Sequence, residues 1–413
     1  MTKTKENQNR RVVVTGLGVV SSLGIGWEEF WKNIMAGKSG ISKITAFDTS
    51  QYERHYAGEV KNFEPTRFID KRRVARLGRA SQMAIAASKL ALKDAHINVD
   101  QLIKAQTAVC IGTTTGEIHL LEEFNDARQK GSRKIFQKNN ISIFPSNSLS
   151  GNIAVEFKLQ GPNNVFATAC ASGNYAIGEA FDLIRRGRAD CALTGGTDGF
   201  SRIVFTGFGR LFAMAPEMCQ PFEKNRKGMI TGEGAGILFL ETWESAKKRK
   251  ATIYAEILSY GVSCDAQHMT IPSVGGIEKS VSRALNGAQL EASAIDYISA
   301  HGTGTVENDS AECQAMKRVF KDQLKRIPMS SIKSMLGHTM GAAAALEAIA
   351  CCLSIHKQEV PPTINYCERD PECDIDCVPN KGRKHKVKVA LNNSQAFGGN
   401  NAVLVLRNFD IKS

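Results

Sequence analysis

The sequence predicts an α/β protein of mostly parallel strands, built as two similar halves. Short β-prone apolar runs alternate with longer segments whose apolar residues recur at helical spacing, the pattern of a parallel sheet covered by helices. The order of strand, helix and glycine turn passes along the chain twice, before and after about residue 258. No Pro-, Ser- or Gly-rich linker separates the two passes, so the halves are expected to pack as one body rather than as independent domains.

In the first pass, "RVVVTGLGVV" (Arg11–Val20) is a strand, "SQMAIAASKLALKDA" (Ser81–Ala95) a helix and "TAVCIGTT" (Thr107–Thr114) a strand. "GNYAIGEAFDLIRRG" (Gly173–Gly187) follows as a helix, then "CALTGGTD" (Cys191–Asp198) and "GILFLET" (Gly236–Thr242) as strands. Gly16 and Gly18 mimic the start of a dinucleotide fingerprint, but Ser21 stands where its third glycine belongs, which favours a tight strand-to-loop turn. In the second pass, "ATIYAEILSYGVS" (Ala251–Ser263) suggests a pair of strands and "SVSRALNGAQL" (Ser280–Leu290) a helix. "IDYISAHGTGT" (Ile295–Thr305) reads as a strand and glycine turn, and "GHTMGAAAALEAIACCLSIH" (Gly337–His356) as a long buried helix. "VKVALNNSQAFGGNNAVLVLRN" (Val387–Asn408) closes the chain as a hairpin. The expected organisation is a polar tail over 1–10, a first half over 11–258 and a second over 259–413.

Hydrophobic residues at 42% and charged residues at 23% are ordinary for a folded protein and argue against disorder. The opening "MTKTKENQNRR" lacks the apolar segment of a signal peptide, and no stretch offers eighteen uninterrupted apolar residues, so a cytoplasmic protein with no membrane partner is expected. Eleven cysteines scattered without a secretory signal read as reduced thiols. Cys367, Cys373 and Cys377 cluster without a CxxC pair or a suitably spaced histidine, and no metal site is expected. A formal charge of +12 predicts an acidic partner. Basic groups gather in "DKRRVARLGR", which holds Arg72 and Arg76, and in "RQKGSRK", which holds Arg133 and Lys134. Neither segment has the aromatic interleaving or finger spacing of a nucleic-acid binder.

Chemistry points to three glycine-flanked positions. In "VFATACASGNYAIG", Cys170 ends a β-prone run just before a helix of small residues. A helix N-terminus there would lower the thiol pKa and favour a nucleophilic thiolate, although free cysteine is as often an inert core residue. His301 in "SAHGTGT" and His338 in "SMLGHTMG" both stand at element ends, from which side chains converge on clefts. A cysteine with one histidine suits hydrolysis. A second imidazole suits carbon–carbon bond formation: the thiol carries an acyl group while two imidazole N–H groups hold the thioester oxygen of a second substrate as it loses carbon dioxide. The glycine-rich "NNSQAFGGNNA", with Phe397, Gly398 and Gly399, is placed to add a backbone N–H to an oxyanion hole.

Five motifs make the chain resemble a condensing enzyme of the thiolase superfamily, of the β-ketoacyl-[acyl-carrier-protein] synthase II type, from about Arg11 to Arg407. They are "TACASG" around Cys170, "PFEKNRKGMITGEGAG" (Pro221–Gly236), "AHGTGT" at His301, "IKSMLGHTMGAAAALE" (Ile332–Glu347) and "NSQAFGGNNA" (Asn393–Ala402). The resemblance implies a five-layered αβαβα fold of two duplicated halves and a homodimer. It implies Cys170 as acyl-accepting nucleophile, His301 and His338 as promoters of malonyl decarboxylation, and Lys333 in a polar network with Glu347. It further implies an oxyanion hole of Cys170 and Phe397 N–H groups, a gating Phe397 ring, and pantetheine or malonyl contacts from Thr303, Thr305 and Thr270. An acidic acyl carrier protein would dock on Arg72, Arg76, Arg133 and Lys134. No cofactor is implied beyond the phosphopantetheine arm that the carrier brings.

The chain departs from the family's "NSFGFGG" with Gln395 and Ala396, and Thr115 stands where an apolar residue commonly bounds the acyl pocket. Polar groups there suit a saturated chain poorly, because an unpaired buried amide costs about 1–3 kcal/mol by mutational measures. An unsaturated, oxygenated or aromatic-primed chain would fit better. Fatty acid synthesis is the leading expectation, with a specialised type II polyketide or polyene pathway as the alternative. A non-catalytic chain-length partner of a heterodimer would usually lack the nucleophile that Cys170 supplies, and a thiolase would carry a second cysteine where "NSQAFGG" stands.

Overall fold

The computed structural model describes residues 10–131 and 143–409. Ten of the eleven strands of its central sheet form one path: β1 (Val12–Ser21), β2 (Thr107–Gly112), β3 (Asn163–Phe166), β4 (Cys191–Asp198), β5 (Gly234–Thr242), β6 (Ala255–Cys264), β7 (Tyr297–Ser299), β8 (Met329–Ser330), β9 (Val389–Gln395) and β10 (Asn400–Arg407), the short Gly24–Ile25 pairing with β1 beside it. The helices that build its layers are α1 (Arg79–Asp94), α2 (Ser148–Phe157), α3 (Ser172–Arg185), α4 (Arg202–Arg210), α5 (Val274–Ala288), α6 (Val306–Phe320) and α7 (Ala343–Lys357).

The strand order is β3-β2-β4-β5-β1 in the first half and β8-β7-β9-β10-β6 in the second. Both sets repeat one sense pattern. β3, β2 and β4 are parallel and β5 and β1 antiparallel, as β8, β7 and β9 are parallel and β10 and β6 antiparallel. The duplication that weak residue identity only suggests is therefore explicit in the topology. A three-residue ladder, Val12–Val14 against Ile257–Ala255, joins the two sets edge to edge. β6 itself runs across the boundary expected at 258/259.

Helices α3 and α7 lie between the two sets and contact strands of both, whereas α1 and α2 cover one outer face and α5 and α6 the other. This is the five-layered αβαβα arrangement of the thiolase fold. Every residue of α7 from Ala343 to Ile355 is buried, which is why its sequence is apolar on all sides. By composition the stretch is apolar enough to cross a membrane, yet both of its faces are covered by sheet.

Several local expectations are corrected by packing. Gly16 and Gly18 lie inside β1 rather than in a loop. A Cβ on either would come within 2.2 Å or 1.8 Å of the Ala91 or Ala87 carbonyl oxygen of α1. They are glycines because strand and helix meet backbone to backbone. "ATIYAEILSYGVS" forms the single strand β6, and α5 begins at Val274, where Ser273 Oγ accepts the Gly276 N–H.

Candidate active site

Cys170 stands in the tight turn Ala169–Ala171 between β3 and α3. Ala169 has φ +49°, a left-handed conformation that a side chain disfavours and that the surrounding packing must hold. Met340, with φ +53°, takes the same place in the second repeat, just before α7. The position after it is a glycine instead of a cysteine, because a Cβ on Gly341 would lie 2.5 Å from Thr113 Cα. The lack of bulk after Cys170 has the same origin: a Cβ on Gly173 would lie 2.8 Å from the Ala345 backbone nitrogen, so α3 and α7 touch directly.

His301 follows β7, and its backbone N–H donates 2.7 Å to Glu312 of α6, whose other oxygen accepts the Gly302 N–H at 2.8 Å. His338 is pinned through its own backbone, with its N–H on the Ile230 carbonyl at 2.6 Å and its carbonyl on the Gly232 N–H at 2.8 Å. These anchors bring the ligating atoms of Cys170, His301 and His338 within 4.8 Å of one another. The imidazole rings cross edge to face, 5.5 Å between centroids.

The ring nitrogens are assigned by their partners. His338 Nδ1 accepts the Met340 N–H at 3.1 Å, and His301 Nδ1 faces the Lys333 Nζ at 3.4 Å. In both rings the proton is left on Nε2. Burial and the positive charge of Lys333 hold both imidazoles well below the ordinary histidine pKa, and His338 adds to the effect on His301. Two neutral N–H donors result. Lys333 is itself held by Glu347 of α7 and by the His301 carbonyl at 2.6 Å. Burial pushes the Glu347 carboxyl up to about 7, against the pull of Lys333.

The thiol does not behave as its place before a helix predicts. Cys170 is only 6% exposed, and burial pushes it up to about 12, with Lys333 opposing and Asp198 reinforcing. The turn at 169–171 and the apolar packing outweigh the helix dipole, so the resting sulfur keeps its proton. A cysteine with two histidines is also a set of metal donors, but the Lys333 charge beside His301 opposes a dication at that point.

Two buried carboxylates that the motifs did not single out shape the site. Asp198, at the end of β4, accepts from the Thr113 hydroxyl and the Thr114, Thr115 and Gly341 N–H groups at 2.6–3.2 Å. It clamps the loop after β2 to the turn before α7. Glu312 does the same for His301 and takes a third bond from Asn393 Nδ2 at 2.6 Å. For Asp198 the legible signal was an acidic residue beside glycines at a strand end, whereas Glu312, inside α6, carried none.

A cavity of about 470 Å³ opens onto Cys170, His301 and His338, a size that suits a small organic group. Thr270, Thr303, Thr305, Gln395, Phe397 and Gly399 also line it. The Thr303 and Thr305 hydroxyls bond each other at 2.9 Å, and Thr270 bonds His268. Phe397 packs on Phe208 of α4, 5.5 Å between ring centroids, and Gly398 turns with φ +81° to donate to the Met269 carbonyl. Lys333 and Glu347 lie behind the histidines rather than on the cavity wall. Thr115 does not line this cavity either: its amide and hydroxyl both face Asp198. Around the opening Leu211, Phe212, Met269, Ile271 and Val306 are exposed, Phe212 to 91%. Arg72 and Arg76 are exposed, and Arg133 and Lys134 lie outside the described residues.

Residues 9–246 match the family model for the β-ketoacyl synthase N-terminal domain, and residues 254–367 that for the C-terminal domain. The 3-oxoacyl-[acyl-carrier-protein] synthase 2 of Staphylococcus aureus (strain COL) is 39% identical over 413 residues, covering 98% of this chain and 100% of its own. That of a Synechocystis species is 38% identical over 411 residues, covering 97% and 99%. Among solved structures, a chain of the ishigamide ketosynthase/chain length factor matches with TM-score 0.94 and 44% identity, covering 97% and 100%. A chain of a type II PKS acyl-carrier protein in complex with its ketosynthase bound to the hexaketide (AntDE:AntF) matches with TM-score 0.89 and 35% identity, covering 98% and 100%. A thiol and two neutral imidazoles at the mouth of one cavity, in a duplicated thiolase fold matched by both family models, mean that the chain belongs to the β-ketoacyl synthase family.

Proposed function

We propose that this protein condenses an acyl group held on Cys170 with a malonyl unit presented on acyl carrier protein. The observation that carries the reading is the grouping of the Cys170 sulfur with two imidazoles whose free N–H groups both belong to Nε2. In the first step the sulfur attacks the carrier thioester, a new C–S bond forms, and the pantetheine thiol leaves with the proton that Cys170 gives up. The oxyanion of this step is taken by the N–H groups of Cys170 and Phe397. In the second step the His301 and His338 N–H groups hydrogen-bond the malonyl thioester oxygen. The electrons of the breaking C–CO2 bond then pass into an enolate, and carbon dioxide departs. The enolate carbon attacks the acyl carbonyl, a C–C bond forms, the C–S bond to Cys170 breaks, and the sulfur recovers a proton. No electron is gained or lost overall, so the chemistry calls for neither redox cofactor nor metal.

Thr303, Thr305 and Thr270 would meet the pantetheine arm, and Phe397 would gate the acyl side. The exposed apolar rim is suited to a protein partner, and the basic residues Arg72, Arg76, Arg133 and Lys134 would attract an acidic carrier. Fatty acid elongation is the leading setting, supported by the relatives from Staphylococcus and Synechocystis named 3-oxoacyl-[acyl-carrier-protein] synthase 2, and the resemblance adds a cytoplasmic homodimer to the proposal. A specialised polyketide pathway, including pairing with a related subunit, is favoured by one observation: the polar Gln395 in the cavity wall.

Incubation with a panel of acyl carrier thioesters followed by intact-protein mass spectrometry tests the reading. A Cys170 adduct that malonyl carrier protein then converts to a β-ketoacyl product supports it. The absence of any adduct would make the chain a non-catalytic partner.

A further inference from the structure

The last residue of β9 is buried, and its side chain bonds nothing among the described residues. Gln395 is 3% exposed and lines the cavity that holds Cys170, yet neither its amide nitrogen nor its amide oxygen has a hydrogen-bond partner among the described residues. Other polar groups of the wall have partners: Thr303 bonds Thr305, Thr270 bonds His268, and Arg226 Nη1 bonds Asp370. Orphaned buried amides are rare, because their hydration is lost without replacement. β9 packs against the Cys170 turn, and Gln395 shares a strand face with Asn393, which supports Glu312 beneath His301. Gln395 therefore stands on the cavity wall beside the reacting groups.

Resting on the condensing reading, the oxygens of the two thioesters already have donors, in the imidazoles and the backbone N–H groups. With the polar groups of the pantetheine arm given to Thr270, Thr303 and Thr305, two other substrate groups remain: the malonyl carboxylate and any oxygen carried by the acyl chain. A bond to the carboxylate would stabilise the group that must leave as carbon dioxide, and would oppose the step the histidines promote. We infer that Gln395 selects the acyl substrate, hydrogen-bonding a hydroxyl or keto oxygen close to the thioester, so that the site takes oxygen-bearing chains in preference to saturated ones. A saturated chain would expel water from the amide and leave it bare, and a site that expects a hydrogen bond rejects an analogue lacking it more strongly than an apolar site rejects an extra hydroxyl.

The test follows Cys170 acylation by mass spectrometry, using N-acetylcysteamine thioesters of one chain length in saturated, β-hydroxy and β-keto forms. The wild type should acylate at least about tenfold faster with an oxygenated chain. Gln395→Met, similar in length and without the amide, should abolish the preference and melt no lower than the wild type. Equal rates in the wild type, or an unchanged preference in Gln395→Met, would overturn the assignment. A change confined to carbon dioxide release from a malonyl thioester would also overturn it, giving the amide to the carboxylate. Acylation by none of the three would remove the condensing reading itself, and the selectivity with it.

Discussion

The Lys333 Nζ donates 2.6 Å to the carbonyl oxygen of His301 and stands 3.4 Å from Nδ1 of the same residue. One cation thus fixes the backbone, the tautomer and the charge of the ring. Its charge lowers the pKa of both His301 and His338.

The sign of the resulting pH dependence follows. Decarboxylation needs the neutral rings and fails as pH drops through their pKa values, which lie below the ordinary histidine range. Removing Lys333 lets both pKa values rise, so the acid limb moves to higher pH. Lys333→Met alone strands Glu347 and should cost about 3–5 kcal/mol of stability, so the test uses Lys333→Met with Glu347→Gln. Carbon dioxide release from malonyl carrier protein should be lost more severely near pH 6 than near pH 8, and an unmoved limb would refute the electrostatic role.

The protonated resting state of Cys170 predicts its reactivity. Alkylation by iodoacetamide is proportional to the thiolate fraction, so the rate should climb about tenfold per pH unit from about pH 6 to pH 9 without a plateau. A plateau near neutrality would show that the helix dipole prevails over burial.

Asp198 offers one carboxylate to four donors. In Asp198→Asn the amide nitrogen would confront an N–H group, leaving a buried donor without an acceptor. A loss of about 2–4 kcal/mol is expected in denaturant unfolding, with kcat reduced at least tenfold because the loop after β2 and the turn that follows His338 separate.

Gly173→Ala places a Cβ against the backbone of Ala345, where no side chain can yield. The expected cost is about 1–3 kcal/mol, read as a lower denaturant midpoint at unchanged slope.

Reversing Arg133 and Lys134 to Glu, with Arg72→Glu and Arg76→Glu as a second pair, should raise KM for carrier-bound substrates roughly tenfold and strengthen its salt dependence. Acylation by small thioesters should be unchanged. Equal loss with both substrate types would rule out docking.

The fold class and the reactive residues were legible because each depends on a local rule. Alternating strands and helices mark an α/β sheet, all-round apolarity marks the buried α7, and glycine-flanked Cys170, His301 and His338 mark element ends. The cofactor mimic at Gly16 and Gly18, the true reach of α5 and the side-chain direction of Thr115 were not legible. Two are settled by neighbours distant in sequence, Ala87 and Ala91 for the glycines and Asp198 for Thr115, and the start of α5 by the adjacent Ser273 cap.

By itself the sequence determined which groups are available and roughly where the chain turns. Tertiary structure decided their protonation and their partners. Burial keeps the proton on Cys170, Lys333 keeps the imidazoles neutral, and backbone anchors to Glu312, Ile230 and Gly232 bring the ligating atoms of His301 and His338 within 4.8 Å of each other and of the Cys170 sulfur. The physical reason is range: helix and strand propensities act over a few residues, whereas desolvation and Coulomb forces act across whatever the fold places side by side.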